Sequence, residues 1–150
     1  MPEGPPAQTA RLVMAFDFGK RRIGVACGDT VSATARPLSA VLAGGSGQPW
    51  EAIGALLRDW QPALAVVGLP YNTNGTESDM TGAARAFASE LASRYSLRVE
   101  LVDERYSSLE AHARLREARE SGLRKRRVDK ADIDAGAACI ILERWITENS

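Results

Sequence analysis

Histidine and cysteine are nearly missing from this sequence. One histidine and two cysteines stand in 150 residues, too little material for a histidine dyad or a thiolate zinc site. Cys27 and Cys139 lie far apart inside apolar segments, where small buried hydrophobes are expected rather than a disulfide framework. His112 falls in a charged, helix-like stretch and is expected on the surface. Charge of one sign is missing too: nineteen basic and nineteen acidic side chains cancel, so no global field points to a polyanion. No apolar run approaches the ~20 residues of a membrane span. Met1 to Arg11 is rich in Pro, Gly and Ala without the basic-then-apolar pattern of a signal peptide, and reads as a short disordered arm. No membrane and a cytoplasmic location are expected.

What is present is an ordinary globular composition, 45% hydrophobic and 25% charged, sized for one domain from residue 12 to 150. The charges are unevenly placed. Lys20, Arg21 and Arg22 are contiguous, and Arg124, Lys125, Arg126 and Arg127 form a second basic cluster. Leu12 to Phe18 and Arg22 to Cys27 are strand-length apolar runs joined by a hairpin-sized link, Gly19-Lys20-Arg21. Ala33 to Val41 suits a third strand, which Pro37 confines to an edge or bulge. Pro49 to Trp60 repeats apolar residues at helical spacing, and Leu64 to Val67 suits a buried parallel strand. A helix is expected from Ser78 to Tyr95, capped by Ser78 or Thr76, then a strand from Arg98 to Val102. Ser107 to Arg119 and Lys130 to Thr147 read as further helices. Strands first, then alternating helix and strand, gives an α/β fold: a mixed sheet flanked by helices.

Three acidic positions stand out. Asp17 interrupts an apolar strand near its end, where a carboxylate is costly unless paired or metal-bound. Glu104 follows the strand ending at Val102, and carboxyl ends of strands are where sites gather in open sheets. The third is one of Asp129, Asp132 and Asp134. Ala137, Ala138, Ile141 and Trp145 continue the stripe that begins at Asp134, so Asp134 points toward the sheet, whereas Asp132 sits about 200° around the helix. Carboxylates so placed make a hard oxygen site for Mg²⁺ or Mn²⁺. A pair of such ions can activate water and stabilise the leaving oxygen in phosphodiester hydrolysis. The segment Val67 to Ser78, with two glycines and many short polar side chains, is the kind of loop that offers backbone N–H groups to anions.

Five stretches in order resemble the YqgF family, described both as Holliday-junction resolvases and as nucleases for the 5′ end of pre-16S ribosomal RNA. They are Ala15-Phe16-Asp17-Phe18-Gly19 with Arg22-Ile23-Gly24-Val25-Ala26, then Ala35-Arg36-Pro37-Leu38, then Val67-Gly68-Leu69-Pro70 with Asn74-Gly75-Thr76-Glu77. Asp103-Glu104-Arg105 and Asp134-Ala135-Gly136-Ala137-Ala138 with Ile140-Ile141-Leu142 complete the set. The resemblance implies a ribonuclease H-like fold with a five-stranded sheet, an antiparallel N-terminal meander, and a catalytic, metal-holding set of Asp17, Glu104 and Asp134. It also implies nucleic-acid contacts from Lys20, Arg21, Arg22, Asn72, Asn74, Thr76, Arg105, Arg124, Lys125, Arg126 and Arg127. Asn74 stands where the family often has Asp, and Tyr106-Ser107-Ser108 replaces a commoner Leu-Ser/Thr-Thr run.

The substrate expected on this resemblance is precursor ribosomal RNA, with branched DNA as the alternative. A four-way junction requires two active sites and hence a symmetric dimer, for which Trp50, Trp60 and Tyr71 would be interface candidates if exposed. Two other classes compete. Asp17-Phe18-Gly19 before a hairpin also resembles the phosphate-binding strand pair of actin-like ATPases, but those clamp nucleotide between two such domains. A catalytically idle binding domain would have little reason to keep three acids in an apolar setting.

Overall fold

The computed structural model describes residues 11–43, 49–72, 74–103 and 130–149. Five strands form one sheet in the order β3-β2-β1-β4-β5. The chain builds β1 (Leu12–Phe18), β2 (Arg22–Asp29) and β3 (Thr34–Leu42) as an antiparallel meander. Helix α1 (Pro49–Trp60) then returns the chain to β4 (Leu64–Leu69), parallel to β1. Helix α2 (Asp79–Tyr95) leads to β5 (Val99–Asp103), parallel to β4, and α3 (Lys130–Glu148) closes the described chain. The expected α/β architecture, with its meander and mixed sheet, is the one observed.

The two faces of β1 explain its unbroken apolar run. Met14 and Phe16 pack with Ile23, Val25, Ile53, Phe87 and Leu91 on the side of α1 and α2. Val13 and Ala15 pack with Leu64, Val66, Ile141, Leu142 and Trp145 on the side of α3. A strand covered on both faces has no solvent side to keep polar, so alternation disappears. The interior strand β4 is buried along its whole length for the same reason. On α3, Ala137, Ala138, Ile141 and Trp145 are all buried, as the helical stripe requires.

Boundaries follow local chemistry. Ser78 caps α2 through a capping box with Thr81: the Ser78 side chain accepts from the Thr81 amide, and Thr81 Oγ1 accepts from the Ser78 amide at 2.9 Å. Thr81, fully buried, also donates its hydroxyl to the Pro70 carbonyl, which ties the end of β4 to the start of α2. Ser96 ends α2 in the left-handed region at φ 50°. Pro37 does sit on an edge strand beside a bulge: the register passes from Val25–Ser39 to Ala26–Pro37, leaving Leu38 as the extra residue. Both cysteines are buried, and they form no disulfide with each other. Among the described residues, no helix is long and apolar enough to cross a membrane.

Several strands run one or two residues past the sequence expectation, β2 to Asp29 and β4 to Leu69. Strand ends that are still paired carry no apolar signal of their own. The arm at residues 1–10, the helix expected over Ser107 to Arg119, and His112 lie outside the described residues.

Candidate metal and nucleic-acid site

Asp17 is the sixth residue of β1, and the strand's alternation decides where it points. Val13 and Ala15 face α3, so Asp17, two residues on, faces α3 as well. Its antiparallel partner is Gly24 on β2, and directly opposed residues share a face. A Cβ built on Gly24 would collide with the carbonyl group of Asp134 and lie 3.2 Å from the Ala135 amide nitrogen. Gly24 therefore lets the first turns of α3 lie directly on the sheet beside Asp17. The pattern continues down the strand: Ala26 meets Ala138 and Cys139, and Gly28 lies beneath Leu142. Small residues on one face of β2 and on α3 bring two carboxylates distant in sequence to the same end of β1.

Asp134 is half-buried and held. Its Oδ2 accepts from Nε of Arg22 at 2.5 Å, with the two side chains 23% and 29% exposed. Arg22 opens β2, two residues before Gly24, and so projects on the same face. Arg22, expected among the nucleic-acid contacts, is thus paired with a carboxylate, a partner not read from the sequence. A signal for the close approach, though not for the partner, does exist: Gly24, Ala26 and Gly28 alternate with Ile23, Val25 and Cys27, which marks one face of β2 as pressed by a close neighbour.

The tight link before β2 also depends on a glycine. A Cβ on Gly19 would stand 2.6 Å from the Arg22 carbonyl oxygen, so the turn that carries Lys20 and Arg21 closes only without a side chain there. Lys20 and Arg21 are exposed at this turn.

Helix α3 reaches across to β5. Trp145 Nε1 donates to Glu100 Oε1 at 2.9 Å, and Arg144 donates to the Asp103 carbonyl at 2.6 Å. Val102 faces α3 and pairs with Gly68, while Asp103 pairs with Leu69 on the opposite side. Position 104 would return to the α3 face if the strand continued. Glu104 itself lies outside the described residues, as do Arg105, Asp129 and Arg124 to Arg127, and the side chain of Asp132 is likewise outside them. Among the described residues, no group of three acidic, histidine or cysteine side chains is gathered for a metal.

The polar loop after β4 is organised by its own side chains. Asn72 Nδ2 donates to Thr76 Oγ1 at 2.9 Å, and Asn74 Oδ1 accepts from the Thr76 amide and hydroxyl at 3.1 and 2.7 Å. Gly75, at φ 90°, allows the reversal. Tyr71 and Glu77 are joined through Arg85, whose Nη2 donates to both at 3.1 and 3.0 Å. The aromatic interface candidates are spoken for: Trp50 stacks on Phe87 at 5.3 Å with the Arg94 guanidinium over its ring, and Arg36 lies over Trp60.

Comparison with known proteins places these positions in context. Residues 11–148 match a family model described as Holliday junction resolvase, RuvX. A Yersinia pestis (strain Pestoides F) protein named "Putative pre-16S rRNA nuclease" is 46% identical over 140 residues, 93% of this chain and 97% of that protein. Yersinia pseudotuberculosis proteins of the same name match equally well. Among solved structures, Thermus thermophilus RuvC in complex with a Holliday junction substrate superposes with a TM-score of 0.55 at 17% identity, covering 93% of this chain and 95% of that one. The yeast mitochondrial Holliday junction resolvase Ydc2 gives 0.50 at 10% identity, over 89% and 77% of the two chains. At those identities the likeness is one of fold, and it is the ribonuclease H-like fold expected.

Proposed function

The chain belongs to the Holliday junction resolvase family RuvX, and from that membership we propose that it is a divalent-metal-dependent nuclease acting in the cytoplasm on the 5′ end of pre-16S ribosomal RNA. The family and its curated relatives support phosphodiester hydrolysis. The observation that carries the site is the convergence of Asp17 and Asp134 over Gly24 at the carboxyl end of β1.

The donors fit Mg²⁺ or Mn²⁺. Both are carboxylates, and hard oxygen sets select such ions. Asp17 and Asp134 would hold the metal, with Glu104, the residue that follows β5 in the sequence, as the third acid. Such ions, when bound, activate water and offset charge on the attacked phosphate.

The chain's own residues divide the remaining work. Asp17 is fixed by a paired strand, so its position costs no reordering when substrate arrives. Asp134 is fixed by its helix and by Arg22. Lys20 and Arg21 on the exposed turn, together with Arg124 to Arg127, would grip the flanking backbone by charge, with Arg105 beside Glu104. Asn72, Asn74 and Thr76 would act by holding the shape of the loop through bonds to one another and to its backbone.

A second substrate has an observation in its favour: the family model is described by Holliday junction resolution. The two are separated by incubating the protein, in Mg²⁺ and in Mn²⁺, with a precursor rRNA fragment and with a synthetic four-way DNA junction. Asp17→Asn serves as the control. Cutting of the RNA alone, lost in Asp17→Asn, supports the maturation reading. Paired symmetric cuts in the junction replace it with resolution, and cutting retained by Asp17→Asn refutes the site.

A further inference from the structure

We propose that Arg22 is a catalytic residue of this site: anchored on Asp134 through Nε, it presents its two terminal nitrogens to the phosphodiester being cleaved. The proposal rests on the nuclease reading and assigns a group that contacts the reacting phosphate.

The way the guanidinium is held carries the argument. Arginine that serves only to pair with a carboxylate commonly does so through two parallel N–H···O bonds. Here a single bond is made, from Nε to Oδ2. Among the described residues, neither terminal nitrogen of Arg22 has a partner, and neither does the other oxygen of Asp134. One carboxylate thus has one oxygen on arginine and one left for a cation, and the guanidinium has four N–H groups left for an anion. A lone Nε contact leaves most of the guanidinium's donors unused, so a structural role alone explains the arrangement poorly.

Position adds a second argument. Asp17 pairs with Gly24, and Arg22 stands two residues further toward the carboxyl end of β1 on the same face. That is about 7 Å along the strand, within the span of an arginine side chain. The group attacked at a site on Asp17 and Asp134 would sit between the carboxylates and this guanidinium. Lys20 and Arg21, by contrast, are exposed on the turn, and among the described residues their side chains have no fixing partner. They can attract a polyanion but are not held in place before it binds.

The ligand this geometry takes is the pair of non-bridging oxygens of a phosphodiester. A planar fork matches them, stays charged at every relevant pH, and meets more negative charge as the attacked phosphorus becomes five-coordinate. Donors fixed in advance are the ones that act on that developing charge. Arg22 transfers no proton in this role; it donates hydrogen bonds only.

The test compares Arg22→Gln, Arg22→Lys and Arg22→Ala with the unaltered protein and Asp17→Asn, in single-turnover cleavage of whichever substrate is cut. Substrate affinity is measured in the Asp17→Asn background, and Tm in parallel. Arg22→Gln should cut about 10²-fold more slowly or worse, with affinity within roughly three-fold and Tm within about 2 °C. Arg22→Lys should recover only part of the rate, and added ethylguanidinium should speed Arg22→Ala while leaving Arg22→Gln unchanged. Cutting by Arg22→Gln at the rate of the unaltered protein, while Asp17→Asn is dead, overturns the role of Arg22 alone. A slow rate matched by an equal fall in affinity or Tm, without guanidinium rescue, also overturns it. Failure of the unaltered protein to cut either substrate removes the nuclease reading and this proposal together.

Discussion

Gly24→Ala tests the physical reasoning at its narrowest point. The added methyl would enter the space of the Asp134 carbonyl carbon and oxygen. These are backbone atoms inside a helix, so no side chain can rotate away. A carbon normally approaches a carbonyl oxygen no closer than about 3.3 Å, and α3 must retreat from the sheet by more than about 1 Å. A gap of that size forfeits up to about half of each contact's dispersion energy. The residues that lose it are Ala135, Ala138, Cys139, Ile141 and Leu142, all buried against β2, β1 or β4. Overpacking usually costs about 1–3 kcal/mol, and a rigid backbone neighbour puts this site at the upper end, about 3 kcal/mol. Tm should fall by about 6–12 °C.

The matched control is Gly82→Ala on α2, where an added Cβ meets nothing within 4 Å. The same chemical change there should stabilise by about 0.5–1 kcal/mol, because alanine loses less backbone freedom in a helix. Thermal and urea unfolding of the two variants give the comparison directly. Below its melting point, Gly24→Ala should also lose about 10²-fold in cleavage, since Asp134 is displaced by an ångström-scale shift. A Gly24→Ala protein as stable as the original would refute the contact between β2 and α3, and with it the placement of Asp134 beside Asp17.

Mg²⁺ or Mn²⁺ at a hundred times its Kd should stabilise the protein by about 2.7 kcal/mol, and differential scanning calorimetry should show Asp17→Asn losing most of that gain; an equal gain in Asp17→Asn would mean the ion binds elsewhere. Thr81→Val should destabilise by about 2 kcal/mol in urea unfolding, because the Pro70 carbonyl and the Ser78 amide each lose the Thr81 hydroxyl. Thr81→Ser keeps that hydroxyl and should stay within about 1 kcal/mol of the original; parity between the two variants would show that the hydroxyl does not matter.

The elements were legible because their signals are local. Pro49 to Trp60 carries its own helical period and was bounded to the residue. Ser78 announced the start of α2, and Pro37 announced an edge strand. Asp134 was selected from three aspartates by the stripe that follows it; its backbone stands over Gly24, while Asp129 and the side chain of Asp132 lie outside the described residues. The Arg22–Asp134 pair was not legible: its partners are 112 residues apart, and each has a sufficient local explanation, a basic run for one and a helix start for the other. Only the register of β1 on β2, combined with the approach of α3, brings them together. The polar loop shows the same limit. Its composition suggested groups turned toward an anion, whereas Asn72, Asn74 and Thr76 bond one another, because short polar side chains in a turn compete first for their own backbone.

Whether one site suffices bears on the choice of substrate, and the described strand edges and exposed apolar side chains bear on how a second copy could pair. Symmetric pairing of sheets would use an edge strand. The β3 edge carries Pro37, which has no N–H to donate, beside the bulge at Leu38. The large apolar side chains exposed among the described residues are Val31, Leu42 and Leu101. Leu42 and Leu101 belong to opposite edges of the sheet, and Val31 lies in the turn at the other end of β3 from Leu42. Three scattered side chains do not make the contiguous apolar centre of a stable homodimer. Sedimentation equilibrium at micromolar concentration decides between the monomer mass of 16.1 kDa and twice that mass. A monomer cuts one strand at a time, which suits trimming of an RNA end and not coordinated cleavage of a four-way junction. A stable dimer at that concentration would overturn this reasoning and shift the weight to junction DNA.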